Sequence, residues 1–320
     1  MSVGFNRARL AAAGLAVAGC IVAATAGSAS AASLTKVRIA YNPNPSNTTV
    51  IVAEQQGYFK KNGINAVLTP SESTASLIQA LGKQFDIVNV TAPSVLQASE
   101  HGQNLTVVGG EDLETKALPD TYLIAAKDIT SIKQLKGAKI GIPTIGSGNL
   151  YEAAVIALEK AGISKNDVTF LQVPFTDQAS DLANGTIQAA DTIVPFQGQL
   201  LGEGFTNLGD PMLAVTDNTP AFDLGWGASG TWAAANPTVI KGFMKAQEEA
   251  DTWIKSHKAA TEQILEKSFQ LPAQAADSYP LYQYFSFGVK SNYLTDWVAP
   301  MKKIGDLSAS FSPNLKKLIF

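Results

Sequence analysis

The side chains that most often carry out catalysis are scarce in this sequence. Of its 320 residues, two are histidine (His101 and His257) and one is cysteine, Cys20. Nucleophilic catalysis needs a base beside the nucleophile, and a zinc site needs three or four histidine, cysteine or carboxylate ligands. Neither histidine has a companion at such a spacing, and the sequence contains no G-x-x-x-x-G-K-[ST] phosphate loop. We therefore expect a protein that is not an enzyme and that uses no cofactor and no metal.

Two short motifs could support other chemistry. Glu111, Asp112 and Glu114 could bind a cation, but a short acidic run is more often a solvated loop, and we expect a loop here. Residues 225–230 match the glycine pattern G-x-G-x-x-G. A dinucleotide site requires that this pattern follow a strand and open a helix directly, whereas the next helix here begins only near Pro237. We interpret the segment as a strand that another backbone approaches closely.

Strands and helices alternate along the chain. Apolar alternation predicts four strands in the first part, at residues 37–41, 64–68, 85–90 and 105–108. A similar order follows about 100 residues later, with strands at residues 138–142, 168–173 and 191–194. Helical segments separate these strands, and the last third is mostly helical, with Pro237 at the first position of a long helix. Such a repeat predicts an α/β protein with two lobes, each a mainly parallel sheet flanked by helices.

The first 31 residues have the features of an export signal. Two arginines precede a small and apolar stretch, and residues 29–31 form an A-x-A cleavage site. Residues 17–20 also resemble the lipobox of bacterial lipoproteins, in which the cysteine is acylated. We therefore expect a mature chain that begins after Ala31 or, as the alternative, at a lipidated Cys20. Because Cys20 is the only cysteine, the folded part has no disulfide framework.

The bulk composition restricts the class of partner. The net charge is −3 and the sequence has no basic runs, which argues against nucleic acid as a partner. A mature chain of this length usually forms two domains. We predict a signal peptide at residues 1–31, a first lobe from residues 32–124 and 223–320, and a second lobe from residues 125–222.

Several segments, in the right order over nearly the whole mature chain, are similar to one family. They resemble the nitrate/sulfonate/taurine and thiamine-precursor branch of the extracytoplasmic solute-binding proteins of ABC importers. The segments are residues 37–41, 52–64, 85–87, 135–141 and 160–163, and Asn236–Pro237 with the helix behind it.

The resemblance implies a type II periplasmic-binding fold. Two lobes joined by two hinge crossovers, here expected at residues 122–126 and 221–226, would clamp a small molecule between them. The implied function is the capture of a solute for a membrane permease and an ATPase, by a monomer in the periplasm or at the cell surface. Two alternatives stay open: a pyrimidine-precursor synthase of the same superfamily, which relies on a catalytic histidine and a cysteine-rich motif, and a ligand-sensing domain.

In doubly wound sheets, ligands lie beyond the carboxyl ends of the strands, beside helix N-termini with unpaired N–H groups. These positions and the second crossover give the predicted ligand-binding residues: Tyr41, Asn42, Asn47, Thr48, Thr91, Ser147, Gly148, Asn149, Phe196, Asp223 and Trp226. The same loops contain no lysine or arginine, and Asp223 is their one carboxylate. We therefore expect a neutral or weakly charged organic solute, such as a heterocycle or an amine, over nitrate or a sulfonate. Asp223 would pair with an amine if it points inward and would be a solvated turn residue if it points outward.

Overall fold

The computed structural model describes residues 1, 33–71, 74–146, 148–280, 285 and 287–320. The predicted signal segment with Cys20, and the predicted ligand-binding residue Ser147, lie outside the described residues. Residues from Ser33 to Phe320 belong to one compact unit. Among the described residues, no helix combines the length and the apolar character needed to cross a bilayer.

The described residues contain ten strands. They are β1 (Thr35–Tyr41), β2 (Ile64–Pro70), β3 (Ile87–Val90), β4 (Leu105–Glu114), β5 (Thr121–Ala125), β6 (Lys139–Ile142), β7 (Thr169–Gln172), β8 (Ala189–Ile193), β9 (Thr206–Asn207) and β10 (Ala221–Ser229).

Helices connect and cover these strands. In the described part of the chain they are α1 (Thr48–Gln55), α2 (Tyr58–Lys61), α3 (Thr74–Ala80), α4 (Ala92–Glu100), α5 (Asn149–Lys160), α6 (Gln178–Ala183), α7 (Phe196–Gly202), α8 (Pro211–Val215), α9 (Gly230–Ala235), α10 (Pro237–Ser256), α11 (Lys258–Phe269), α12 (Ala273–Ser278), α13 (Asn292–Ile304) and α14 (Leu315–Leu318).

The strands form two separate sheets, each with one antiparallel strand among parallel neighbours. The first sheet has the order β2-β1-β3-β10-β4, and β10 runs antiparallel to both β3 and β4. The second has the order β7-β6-β8-β5-β9, and β5 runs antiparallel to β8 and β9. Because the parallel strands need helical crossovers, helices lie on the faces of both sheets, as the α/β pattern predicts. The two-lobed α/β prediction is confirmed.

The chain passes between the two sheets, within the described residues, at residues 115–120 and 216–220. We expected these crossovers a few residues later, at residues 122–126 and 221–226. Residues 121–125 instead form β5 in the second sheet, and residues 221–229 form β10 in the first. Both segments are apolar and suit a strand, and the polar turn residues that make the connections precede them.

The acidic run does not form the expected solvated loop. The strand predicted at residues 105–108 continues to Glu114, and Glu111, Asp112 and Glu114 are fully buried on it. β10 pairs with β4 along most of its length, so β4 has no stretch that could open into a loop. Residues 221–229 form the predicted strand with a close backbone approach, because a Cβ on Gly225 would lie 2.7 Å from the carbonyl oxygen of Gly109. The expectation that the next helix begins only near Pro237 is wrong, because α9 begins at Gly230, directly after this strand.

Candidate functional site

A cavity of about 500 Å³ lies between the ends of the strands of the two sheets. Residues that follow β1 and β3 line it from one side, and residues that follow β6, β7 and β8 line it from the other. This is the position at which ligands bind in doubly wound sheets. The lining residues are Asn42, Pro43, Asn44, Ser46, Thr74, Thr91, Pro143, Thr144, Gly148, Asn149, Leu150, Tyr151, Gln172, Pro174, Phe175, Thr176, Ile193, Phe196, Asp223, Leu224, Ser268, Phe269 and Gln270.

Six of the predicted ligand-binding residues come together in this lining. They are Asn42, Thr91, Gly148, Asn149, Phe196 and Asp223. Three of them mark the starts of helices: Thr91 precedes α4, Asn149 begins α5 and Phe196 begins α7. The cavity therefore has helix N-termini at its wall from both sheets, as the topology predicts.

Hydrogen bonds to the first sheet fix the position of Asn42. Its backbone N–H donates to the side-chain oxygen of Asn89 on β3, at 2.8 Å, and its side-chain N–H donates to the carbonyl oxygen of Ser71, also at 2.8 Å. The Thr74 hydroxyl donates to its side-chain oxygen at 3.3 Å. Asn42 is thus held in one orientation before a ligand arrives, which lowers the entropy cost of binding.

Thr91 is held by a capping box at the start of α4. Its hydroxyl oxygen accepts a hydrogen bond from the Ser94 backbone N–H, and its own backbone N–H donates to the Ser94 hydroxyl at 2.9 Å. A capping box satisfies backbone donors that a helix N-terminus would otherwise leave unpaired. The first turn of α4 is therefore ordered where it meets the cavity.

The second sheet contributes the turn before α5. Gly148 has a φ of +109°, a conformation that favours glycine. The turn places Asn149 opposite Asp223 of β10, and the Asn149 side-chain N–H donates hydrogen bonds to the Asp223 carbonyl oxygen, at 3.1 Å, and to the Asp223 carboxylate. One side chain thus links the two sheets across the cavity.

Aromatic rings form part of the wall on the side of the second sheet. The rings of Phe175 and Phe196 are stacked, with centroids 5.2 Å apart and planes 16° apart. Both residues line the cavity, as do Tyr151 and Phe269. Such a wall offers flat apolar surface to a ring or to the methylene groups of a solute.

Three predicted ligand-binding residues lie behind the lining instead of in it. Tyr41, Asn47 and Thr48 are buried and do not line the cavity. Their polar groups have structural tasks: the Asn47 side-chain N–H donates to the Asn42 carbonyl oxygen, and the Thr48 hydroxyl donates to the Pro45 carbonyl oxygen. The turn after β1 folds back on itself, so its early residues reach the cavity while its later residues face the core.

Trp226 is also not part of the cleft wall. It is completely buried in the core of the first sheet, where its indole N–H donates to Glu111 at 2.6 Å and its ring packs edge-on against Phe243. Phe222 on the same strand is buried against Tyr293. All of β10 from Ala221 to Ala228 is buried, so its sequence has no polar alternation that could have assigned a face.

Sequence reasoning missed other lining residues for two reasons. Gln172 ends β7, and Phe175 and Thr176 follow it, so the rule on strand ends could have found them. Ser268 and Gln270 come from the end of α11, far along the chain, and no local pattern marks them. Their position depends on how the C-terminal helices pack on the first sheet.

The electrostatic character of the cavity is set by neutral groups and one carboxylate. Among the described residues, the lining includes no lysine, arginine or histidine, and Asp223 is its one acidic residue. Asp223 faces inward, because only 7% of it is exposed and it contacts the cavity. Burial raises its pKa to about 7, and the hydrogen bond from Asn149 acts in the opposite sense.

Further carboxyl groups are buried near Asp223, where the chain passes between the sheets. Burial is the largest cause that raises the pKa values of Glu111, Asp112, Glu114 and Asp120, and it raises the Glu111 pKa to about 8. Glu111 accepts hydrogen bonds from Thr49, Trp226 and Gln247. One oxygen each of Asp112, Asp120 and Asp223 lies within 4.8 Å of the other two, a set that could hold a metal ion.

The sequence matches a family model and several curated relatives. Residues 44–260 match the model described as NMT1/THI5 like. A protein from Haemophilus influenzae named for thiamine biosynthesis is 26% identical over 149 residues, or 46% of this chain and 45% of that protein. A protein from Brucella abortus named as a binding protein is 26% identical over 218 residues, or 67% of this chain and 66% of that protein. The chain thus aligns with less than two thirds of either relative.

One relative is named as an enzyme. A 4-amino-5-hydroxymethyl-2-methylpyrimidine phosphate synthase from Aspergillus parasiticus is 23% identical over 295 residues, which cover 86% of this chain and 83% of that protein.

Solved structures share the fold. The periplasmic aliphatic sulphonate-binding protein SsuA of Escherichia coli superposes with a TM-score of 0.68 at 20% identity, covering 85% of this chain and 91% of SsuA. The periplasmic nitrate-binding protein NrtA of Synechocystis PCC 6803 superposes with a TM-score of 0.66 at 14% identity, covering 89% and 86%. At these identities the likeness establishes the periplasmic-binding fold.

Proposed function

The chain belongs to the NMT1/THI5-like family, and on that premise we propose that it is the solute-binding component of an ABC importer. It captures a small organic molecule between two lobes and delivers it to a membrane permease with its ATPase. The observation that carries this proposal is the cavity of about 500 Å³, which residues beside both sheets line together. A ligand that contacts both walls stabilises the closed arrangement of the lobes, which a permease can recognise.

The proposal includes the domain division and the route of the protein. We propose that the two lobes divide at the connections 115–120 and 216–220, a few residues before the predicted bounds of 124/125 and 222/223, and that the protein acts as a monomer. Export through the segment 1–31 would place it in the periplasm or at the cell surface, and a lipid on Cys20 would anchor it. Intact-mass measurement of the exported protein tests this: retention of residues 1–9 would rule out processing.

The lining supports an organic solute that is neutral or carries a weak positive charge. Amide groups of Asn42 and Gln172 and hydroxyls of Thr91 and Thr144 offer hydrogen bonds, and the stacked rings offer apolar contact. Helix N-termini would attract an oxyanion, each by about 0.3–1 kcal/mol. The described lining residues include no guanidinium or ammonium group that could pair with it. The inward carboxyl of Asp223 favours an amine or a protonated heterocycle.

The enzyme alternative has little support at the residue level. A synthase that relies on a catalytic histidine would need one at the cavity, but His101 and His257 are exposed and neither lines it. The ring of His257 is stacked on Trp253, at a centroid distance of 4.4 Å. The sequence has no cysteine after Cys20, so a cysteine-rich motif is not available.

Mass spectrometry of the small molecules released from natively purified, denatured protein tests the proposed function. We expect one organic solute that rebinds to the pure protein in calorimetry, with a smaller radius of gyration in X-ray scattering when it is bound. Recovery of a chemically changed solute after incubation would establish an enzyme instead. Taurine, nitrate and an aminopyrimidine serve as defined probes, and tight binding of nitrate or taurine without the pyrimidine would contradict the proposed ligand class.

A further inference from the structure

Three buried aspartates from different segments meet behind the cavity, and we refer to Asp112, Asp120 and Asp223 as the acidic trio. Asp112 lies on β4, Asp223 lies on the neighbouring strand β10, and Asp120 precedes β5 on the connection between the sheets. The register of β10 against β4 shifts between Phe222 and Leu224, so Asp223 occupies an irregular position in the ladder. Such bulges re-aim a side chain, and here the result is that one oxygen of each trio member lies within 4.8 Å of the others.

Two members of the trio, Asp112 and Asp120, lack the partners that buried carboxylates normally have, whereas Asp223 accepts a hydrogen bond from Asn149. Asp112 and Asp120 are 0% and 1% exposed. Among the residues that the structure describes, neither oxygen of Asp112 and neither oxygen of Asp120 has a hydrogen-bond partner. Burial and the neighbouring acids Asp120 and Asp223 raise the Asp112 pKa, whereas the Ser46 hydroxyl lowers it. No ion pair within the described part of the chain involves any of the three.

Neighbouring buried acids show how this fold satisfies a carboxyl group with its own atoms. Glu111 has three side-chain donors. Glu114 accepts from the backbone N–H groups of Asp120 and Thr121, both at 2.6 Å, and from the Thr121 hydroxyl at 2.9 Å. The carboxylate oxygens of Asp112 and Asp120 have no such donors among the described residues, and one oxygen of each lies close to the other and to Asp223.

We propose that the acidic trio binds a divalent cation that prefers oxygen ligands, with Ca²⁺ as the best fit. Ca²⁺ takes about six to eight oxygen ligands in flexible geometry and suits a buried set of three carboxylates, whereas Mg²⁺ usually keeps several waters and is held by one or two carboxylates. A set of three carboxylates without histidine or cysteine disfavours zinc and copper. Buried carboxylates of this kind usually pair or coordinate a metal, because an unpaired buried charge is costly.

The site would open towards the cleft through Asp223. Asp223 is the member of the trio that also lines the cavity, whereas Asp112 and Asp120 do not. Water or an oxygen atom of a bound solute can therefore complete the coordination of the ion. The inference does not depend on the proposed transport function, because the ion can be tested without any solute.

The exported protein is purified natively and analysed for bound metal by mass spectrometry. It is then dialysed against EGTA before Ca²⁺ binding is measured. We expect one equivalent of Ca²⁺ from calorimetry with CaCl₂, tighter binding than with MgCl₂, and a rise in Tm of about 5 °C at roughly 100 times the Kd. Asp112→Asn and Asp120→Asn keep the shape of the side chain but remove a charge. Each should weaken Ca²⁺ binding at least tenfold and remove most of the rise in Tm.

Glu152→Gln is the matched control, because Glu152 is also fully buried and acidic but lies on α5 outside the trio. It should bind Ca²⁺ like the wild type. Absence of saturable Ca²⁺ binding by the wild-type protein overturns the proposal, as does wild-type affinity in both Asp→Asn variants. If one variant fails to fold, the other and the wild-type stoichiometry decide. Retention of solute binding by a protein that takes up no Ca²⁺ would refute the ion site alone.

Discussion

The side chain of Asn149 bridges the two sheets by donating hydrogen bonds to the backbone and the side chain of Asp223. Asn149 begins α5, which follows a strand of the second sheet, and Asp223 lies on β10 of the first. The bridge crosses the cavity itself. It therefore joins the two sheets at the wall of the candidate site.

Loss of this bridge should open the protein. Asn149→Ala removes two hydrogen bonds, worth about 1–2 kcal/mol together, which changes the ratio of closed to open molecules by a factor of roughly 5–30. We expect a larger radius of gyration in X-ray scattering of the solute-free variant than of the wild type. Asn184→Ala is the control, because exposed Asn184 makes only local hydrogen bonds to Thr186. An unchanged radius for Asn149→Ala would mean that the bridge does not hold the lobes together.

A second prediction concerns pH and the buried carboxyl of Glu152. Glu152 lies on α5 and accepts a hydrogen bond from Gln97 of α4 at 3.3 Å, while its other oxygen has no partner among the described residues. Burial raises its pKa from 4.5 to about 8. Between these pH values the folded protein retains a proton that the unfolded chain releases. The stabilising contribution is thus complete below about pH 4.5 and is lost as pH rises to 8, by up to ~1.4 kcal/mol per pH unit.

Glu152→Gln should flatten this dependence. Because glutamine does not ionise, the variant should match the wild type near pH 5 and exceed its free energy of unfolding at pH 8. Urea denaturation at pH 5, 6.5 and 8 in EGTA measures the difference. Glu203→Gln changes an exposed carboxyl on α7 and should leave the slope as it is. If the free energy of unfolding depends on pH equally in Glu152→Gln and in the wild type, the raised pKa does not belong to Glu152.

Local pattern was sufficient for most elements and for half of the site. The long helix was predicted to start at Pro237, where α10 begins. Asn42, Thr91 and Asn149 were found because they follow strands or start helices, and topology brings such residues together.

Other features depend on tertiary contacts that no local pattern records. The acidic run at residues 111–114 has the composition of a loop, yet it forms the end of strand β4, at the edge of the first sheet, because β10 pairs with β4 there. The composition of a segment indicates only how well it tolerates water. Pairing with a distant strand can bury the segment despite that composition. The face of Trp226 was likewise undetermined, because β10 is buried on both sides.

The buried position of Trp226 gives a third prediction. Trp226→Phe removes the N–H that donates to Glu111 and leaves a gap beside Phe243. We expect the free energy of unfolding to fall by about 2–4 kcal/mol, with solute affinity unchanged. Urea denaturation and calorimetry with the released solute give the two values. Trp232→Phe makes the same change at a half-buried tryptophan and should cost less. A large loss of solute affinity with an unchanged free energy of unfolding would instead indicate that Trp226 contacts the solute.

The last prediction concerns the stacked pair Phe175 and Phe196. Phe196 begins α7 and Phe175 follows β7, so each ring is fixed by a different element of the second sheet. Truncating either ring removes wall surface and frees the other ring to move. We expect Phe196→Ala and Phe175→Ala each to lower solute affinity by roughly tenfold, or about 1.4 kcal/mol. The double variant should lose less than the sum of the two single variants, because contacting residues are not additive.

Leu201→Ala is the control on the same helix as Phe196. Leu201 is exposed on α7 and does not line the cavity, so its truncation should leave affinity and the released solute unchanged. Calorimetry with the released solute compares all four variants, and near-ultraviolet circular dichroism checks that the remaining rings are still packed. Strict additivity of the two phenylalanine variants would mean that each ring contacts the solute independently. Wild-type affinity in both single variants would mean that the solute binds elsewhere in the cavity, against its polar wall.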